Sequence, residues 1–194
     1  ATVLTLPSPG ETNSLGANKA IVIDGIIPTF TNIAISADNT SLSVTYSESV
    51  FNTNSGSGSL EASDFEMSVT SGNAALVSKT PSSMSSDGNV YILGVNFSSL
   101  ADGTDTLWVN VVDNSVYDQA GNEASTGKSS IRLNDKLPPS ISATVVSGQN
   151  NILLVTLSEP IYNSSSGSGT VEPSDFSLSL SEGNAKLASN SPIS

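Results

Sequence analysis

The chain has no cysteine and no histidine. It can therefore build no disulfide framework, thiolate nucleophile, imidazole base or zinc site of ordinary type. Cations are scarce as well: Lys and Arg total 6 against 18 Asp and Glu, a net charge of −12. Such a charge repels a phosphate backbone and argues against nucleic acid as a partner. No apolar run approaches the ~20 residues of a membrane-spanning helix. Nor does any charged segment lead into an apolar stretch as in a signal peptide, though a mature or excised piece would lack one too. Aromatic residues make up 5% of the chain, with Trp108 the only tryptophan, which speaks against a sugar-stacking platform.

What is abundant is hydroxyl. The 39 Ser and 16 Thr place one on 55 of 194 positions, while hydrophobic residues are 37%. That mixture points to a β-protein with a thin core rather than to disorder. Residues 24–83 also align with 135–194 at a constant offset of 111, without a gap and with 26 of 60 positions identical. Ser47-Glu48 matches Ser158-Glu159, and Ser55-Gly56-Ser57-Gly58 matches Ser166-Gly167-Ser168-Gly169. Ser63-Asp64-Phe65 and Gly72-Asn73-Ala74 recur as Ser174-Asp175-Phe176 and Gly183-Asn184-Ala185. An internal repeat of this length indicates a tandem array. We read 1–23 as the C-terminal strand or strands of a preceding repeat, or as an exchanged strand segment. Residues 24–134 are a complete repeat and 135–194 the first half of the next.

Periodicity within 24–134 is two rather than 3.6. Leu42, Val44 and Tyr46 alternate with polar residues, as do Phe65, Met67 and Val69. Runs at 90–97 and 106–112 alternate in the same way, and shorter ones lie at 30–35, 75–77 and 129–133. Seven short strands in ~100 residues predict an all-β fold, a tandem of immunoglobulin-like β-sandwiches of about seven strands each.

In that topology the entry segment, the loop after the second strand and the loop before the last strand share one pole. Asp24, Glu48, Glu61, Asp64, Asp113, Asp118 and Glu123 all fall there. Asp102 and Asp105 fall at the far pole, where they would approach Asp135 and Glu159 of the following repeat. Like-charged carboxylates at ~4 Å cost ~1–4 kcal/mol per pair near a protein surface. Only Lys79, Lys128 and Arg132 oppose twelve acids in 24–134. A hard divalent cation resolves the conflict, and calcium takes six to eight oxygens from carboxylates, Asn side chains and carbonyls. The candidate ligands are Asp24, Glu48, Asp64, Asp113, Asp118, Asn122, Asp135, Glu159 and Asp102. Asp and Asn are also ordinary turn residues. Asp64 either binds metal or caps its turn, and Glu61 reads better as a solvated face. However, four of the six acids in 24–83 recur in 135–194. A Glu48–Asp118 pair for glycoside hydrolysis has no apolar pocket to raise a pKa, so no catalytic site is expected.

Tyr46-Ser47-Glu48-Ser49-Val50, Ser63-Asp64-Phe65, Leu100-Ala101-Asp102-Gly103 and Tyr117-Asp118-Gln119-Ala120-Gly121-Asn122 resemble the bacterial Ig-like repeat families. Leu157-Ser158-Glu159-Pro160-Ile161 is closer still to that pattern, and Asn134-Asp135-Lys136-Leu137-Pro138-Pro139 is similar to the joints of such arrays. The resemblance covers 24–134 and the available part of 135–194. It implies sandwiches in large secreted surface proteins, namely adhesins, S-layer proteins and extracellular filaments, many with calcium at their joints. The expected function is a non-enzymatic stalk repeat whose partners are neighbouring repeats. Alternatives are a filament subunit assembled by strand exchange and a carbohydrate- or matrix-binding module. Residues 135–194 lack equivalents of 84–111, so their open face is expected to be covered by protein outside this single copy.

Overall fold

The computed structural model describes residues 7–12, 14–18 and 23–193. Part of the segment 1–23, read from the sequence as a strand or strands, falls outside them. The chain divides into two compact units, 1–137 and 138–194.

The first unit is nearly all β. After a four-residue helical turn at Leu15–Asn18 come nine strands: β1 Phe30–Ile35, β2 Ser41–Tyr46, β3 Phe65–Thr70, β4 Ala75–Leu76, β5 Met84–Asp87, β6 Val90–Gly94, β7 Phe97–Ser99, β8 Thr106–Val111 and β9 Ser129–Arg132. They form an antiparallel four-stranded sheet in the order β1-β2-β6-β5 and a three-stranded sheet β3-β8-β9, with a short β4-β7 pair. The alternation anticipated in the sequence is realised residue by residue. Leu42, Val44 and Tyr46 of β2 and Leu93 of β6 face Phe65 and Met67 of β3 and Leu107, Val109 and Val111 of β8 across one shared core. Each such Leu, Val or Phe contributes ~1.5–3 kcal/mol by leaving water.

Two strands differ from the periodicity. The run 90–97 does not continue as one strand but breaks at Gly94. A side chain there would meet Ser82 and Ser83 hydroxyls at 2.6 and 2.4 Å. Beyond the break, Phe97–Ser99 leaves the first sheet and pairs with β4. The other difference is β5, Met-Ser-Ser-Asp, an edge strand with only Met84 packed against the core. An edge strand with one buried residue shows no alternation to read.

Buried polar groups staple the ends. Asn39 sits in the β1–β2 turn at φ 62°. Its side chain donates to the Asn134 carbonyl at 2.7 Å and accepts from the Asn134 amide at 3.0 Å, tying the first hairpin to the end of the sandwich. Asp105, fully buried, accepts the Ala74 amide at 2.7 Å and the Asp102 amide at 2.9 Å. Gly72, at φ 61°, leaves room for it: a Cβ there would lie 2.3 Å from the Asp105 carboxyl. Asp105 is thus a structural anchor of the far pole, not a group free to meet a neighbouring repeat. The Tyr46 hydroxyl is buried without a partner among the described residues, and burial pushes its pKa far up. Leu157 stands at the equivalent place, so the position asks for an apolar body and not for the hydroxyl.

The second unit holds one hairpin, β10 Ile141–Val146 with β11 Leu153–Leu157, and a 3-10 turn at Pro173–Asp175. Leu153, Leu154, Phe176 and Leu180 are all exposed.

Replacing Asp105 by Ala strands two half-buried amide donors, each costing ~1–3 kcal/mol when left unsatisfied away from water. Asp105→Ala is therefore expected to lower unfolding stability by at least about 2 kcal/mol in a denaturant titration. A loss within about 0.5 kcal/mol, the scale of a neutral surface change, would contradict this role.

Candidate metal centre

Three carboxylates from distant parts of the sequence meet at the pole formed by the entry segment, the β2–β3 loop and the β8–β9 loop. Asp24 precedes β1, Glu48 lies two residues beyond β2, and Asp118 stands in the β8–β9 loop. One oxygen from each lies within 4.8 Å of the others. The strands dictate this meeting, since β2 ends and β8 leaves its sheet at the same end of the sandwich.

Local hydrogen bonds fix each side chain. Asp118 is buried, and its Oδ1 accepts the amides of Ala120 and Asn122, both at 2.8 Å. Its Oδ2 accepts Asn122 Nδ2 at 2.7 Å, and the same nitrogen donates to the Asp24 carbonyl at 3.1 Å. Asn122 thus joins the loop to the entry segment by donating. Asp24 Oδ1 in turn accepts the Ile26 amide at 3.1 Å. The loop is braced from the other side by Phe51 and Tyr117, which exchange backbone bonds of 2.7 and 2.8 Å. Gly56 and Gly121 permit close approach of the two loops: a Cβ on Gly56 would meet Gln119 Nε2 at 2.5 Å, and one on Gly121 would meet the Asn54 carbonyl at 2.5 Å.

The electrostatics divide the three acids. Burial opposes ionisation of Asp118, but the hydrogen bonds from Asn122 and the neighbouring amides outweigh it and hold its pKa below the ordinary value. Glu48 is pushed above its ordinary 4.5, first by burial and then by the Asp118 and Asp24 charges. The charge conflict therefore settles on Glu48. No cation relieves it: the ion pair found among the described residues is Lys79–Glu66, at 3.5 Å and exposed.

The donor set suits a hard cation. All three groups offer oxygen, and oxygens on opposite sides of a calcium ion stand ~5 Å apart at Ca–O distances of ~2.3–2.6 Å. The separations here fall within that span.

The other candidate ligands are placed elsewhere. Asp64 Oδ2 accepts the Glu61 amide at 2.8 Å and so caps the 3-10 turn before β3. Glu172 and Asp175 repeat that bond at 2.8 Å, which accounts for the recurrence of this acid pair. Asp113 Oδ2 accepts Asn114 Nδ2 at 2.8 Å, and Glu123 takes the Asn114 amide at 2.6 Å. At the far pole Asp102 closes a turn on the Thr104 hydroxyl and amide, at 2.7 and 2.9 Å, which lowers its pKa. Asp135 Oδ1 accepts the Leu137 amide at 2.9 Å, as Asp24 does that of Ile26. Glu159 belongs to the second unit, two residues beyond β11 as Glu48 is beyond β2.

No family model matches this chain, and no curated protein matches it. Two solved structures are similar to it. One is the N-terminal part of the bacterial S-layer protein SbsC, at 17% identity and TM-score 0.42 over 76% of this chain and 33% of that one. The other is the S-layer protein rSbsC(31-844), at 17% identity and TM-score 0.43 over 74% of this chain and 19% of that one. The chain thus spans a third or less of their lengths, and likeness at this level carries no argument about what it does.

The raised pKa of Glu48 has a definite sign. Folding favours its protonated form, so this contribution to stability is fully present below the unfolded value near 4.5 and is lost as pH rises through the folded value. In chelator, stability is expected to decline over that window, and Glu48→Gln to flatten the decline. Parallel pH profiles for the two proteins would show that Glu48 does not carry the conflict.

Proposed function

We propose that residues 24–134 are an immunoglobulin-like repeat of a structural stalk on a bacterial surface, and that calcium held by Asp24, Glu48 and Asp118 stiffens its entry. The observation that carries the reading is the gathering of these three carboxylates, within 4.8 Å and without a counter-ion among the described residues. The fold supports it. The sheet β1-β2-β6-β5 against β3-β8-β9 has the partition of a constant-type immunoglobulin sandwich, with strands A, B, E and D on one sheet and C, F and G on the other.

The mechanism is mechanical. Asp24 lies on the entry segment, while Glu48 and Asp118 belong to the body of the sandwich. An ion shared among them ties the segment to the body, so that whatever precedes it leaves in a fixed direction. Beneath them Phe30, Tyr46, Tyr91 and Phe65 pack ring against ring. The partners implied are neighbouring repeats, each contacting the next.

The test is thermal unfolding of the whole chain in calcium and in chelator. Calcium at 100 times its dissociation constant stabilises by ~2.7 kcal/mol, and the transition of the first unit is expected to rise accordingly. Asp24→Asn combined with Glu48→Gln is expected to abolish the rise. Superimposed curves for the unaltered chain in calcium and chelator would reject the metal reading and leave the stalk without its clasp.

A further inference from the structure

The two repeats share a hairpin but not the character of its outer face. β10 and β11 pair in the register of β1 and β2, with the irregularity at the same place. The Ser158 amide bonds the Ser140 carbonyl at 2.8 Å, as Ser47 bonds Thr29 at 2.9 Å. The two hairpins therefore compare residue by residue. In β2 the side chains of Leu42, Val44 and Tyr46 enter the core, and Ser41, Ser43 and Thr45 stand on the other face. On that face Ala34 lies opposite Ser43, and Asn32 opposite Thr45. Four of these five outward residues are polar, as suits a sheet face turned to water.

The second hairpin breaks this alternation. Ile152 and Leu154 stand where the first repeat has Ser41 and Ser43. Val145, opposite Leu154, replaces Ala34, and Ala143, opposite Thr156, replaces Asn32. The run Ile152-Leu153-Leu154-Val155 is apolar on both sides, which is the pattern of a strand covered on both faces. Yet Val145, Ile152 and Leu154 are 60%, 63% and 62% exposed. Closure of a sandwich does not bury these positions, because Ala34, Ser41 and Ser43 lie outside the core of the complete repeat.

Charge selects the occupant. Residues 137–158 are the longest uncharged stretch of the chain, 22 residues in a molecule of net charge −12. Two such molecules repel over most of their surface, and this face lets them approach without opposing acids. A basic partner finds no carboxylate on it, and an acidic partner no cation. The same apolar patch on two molecules is complementary to itself, as contact about a two-fold axis requires.

We propose that the outer face of the β10–β11 hairpin, centred on Val145, Ile152 and Leu154, docks against the same face of a second molecule of this chain. Three large side chains and their small neighbours fall short of the ~800 Å² per partner of a stable interface, so the pairing is weak, with a dissociation constant of roughly micromolar to millimolar. It needs no calcium and forms in chelator too.

Sedimentation equilibrium of the whole chain in chelator, from about 1 μM to about 1 mM, is expected to show a reversible monomer–dimer equilibrium. Ile152→Ser with Leu154→Ser, which installs the residues of the first repeat, is expected to weaken the dimer by at least about tenfold. Phe176→Ser, whose counterpart Phe65 lies in the core, is expected to leave it unchanged. Conversely, Ala34→Val with Ser41→Ile and Ser43→Leu gives the first repeat the same face and is expected to carry association beyond the dimer. An unaltered thermal transition of the first unit in that variant shows that it still folds. The proposal is overturned if the chain stays monomeric to about 1 mM, because a molecule of another kind would then be the occupant. It is overturned as well if the dimer survives Ile152→Ser with Leu154→Ser, if Phe176→Ser dissolves it, or if the folded first-repeat variant associates no further than the unaltered chain.

Discussion

The burial of one face of each sheet against the other is the constraint on which the rest of the molecule depends. With aromatics at 5%, this contact is made largely by Leu and Val. Four of the ten aromatic rings pack together. Phe30, Tyr46, Tyr91 and Phe65 touch in a chain, with ring centres 4.9, 5.7 and 6.2 Å apart. Tyr46 ends β2 and Phe65 begins β3, so this chain lies toward the pole that carries the carboxylates. Burial is the leading cause of the raised Glu48 pKa, ahead of its neighbours' charges. The core and the candidate metal centre are therefore linked: the same packing that closes the sandwich brings Glu48 and Asp118 together and withdraws water from them.

Much of this was legible in the primary structure because period-two alternation and strand order follow directly from burial. β2, β3, β6 and β8 each bury alternate residues and were read as strands. Their order alone places Asp24, Glu48 and Asp118 at one end. Features decided by single hydrogen bonds were not legible. Asp105 looks like any turn aspartate, yet it is fully buried under two amides. Nothing in Met84–Asp87 marks an edge strand, since its pairing with β6 comes from the backbone. The break at Gly94 has one local sign, the glycine itself, within a run otherwise interrupted only by Asn96.

Recurrence between the two copies needs the same separation into causes. Glu61 and Asp64 recur because they cap a turn in both copies, so they add nothing to the case for a metal. Asn39 and Asn150 recur at left-handed turn positions, with φ of 62° and 56°. Among the recurring acids of 24–83, Asp24 and Glu48 are left. Of these, Glu48 has no side-chain hydrogen bond among the described residues that explains its retention, while Asp24 also closes a turn on Ile26. Fewer residues than the acid count implies thus point to an ion, and they do so by geometry.

Stability in this chain follows the closure of the sandwich, not the presence of a local motif. Corresponding hydrogen bonds in the two copies make the comparison internal. Amide hydrogen exchange on the whole chain reads it directly. Amides of Leu42–Tyr46 that face β6 are expected to exchange only on global unfolding of the first unit. Their counterparts in Leu153–Leu157 are expected to exchange orders of magnitude faster, through local opening. Equal protection of the two sets would contradict the account, because it would mean that the half-sandwich is stable without the strands that close it.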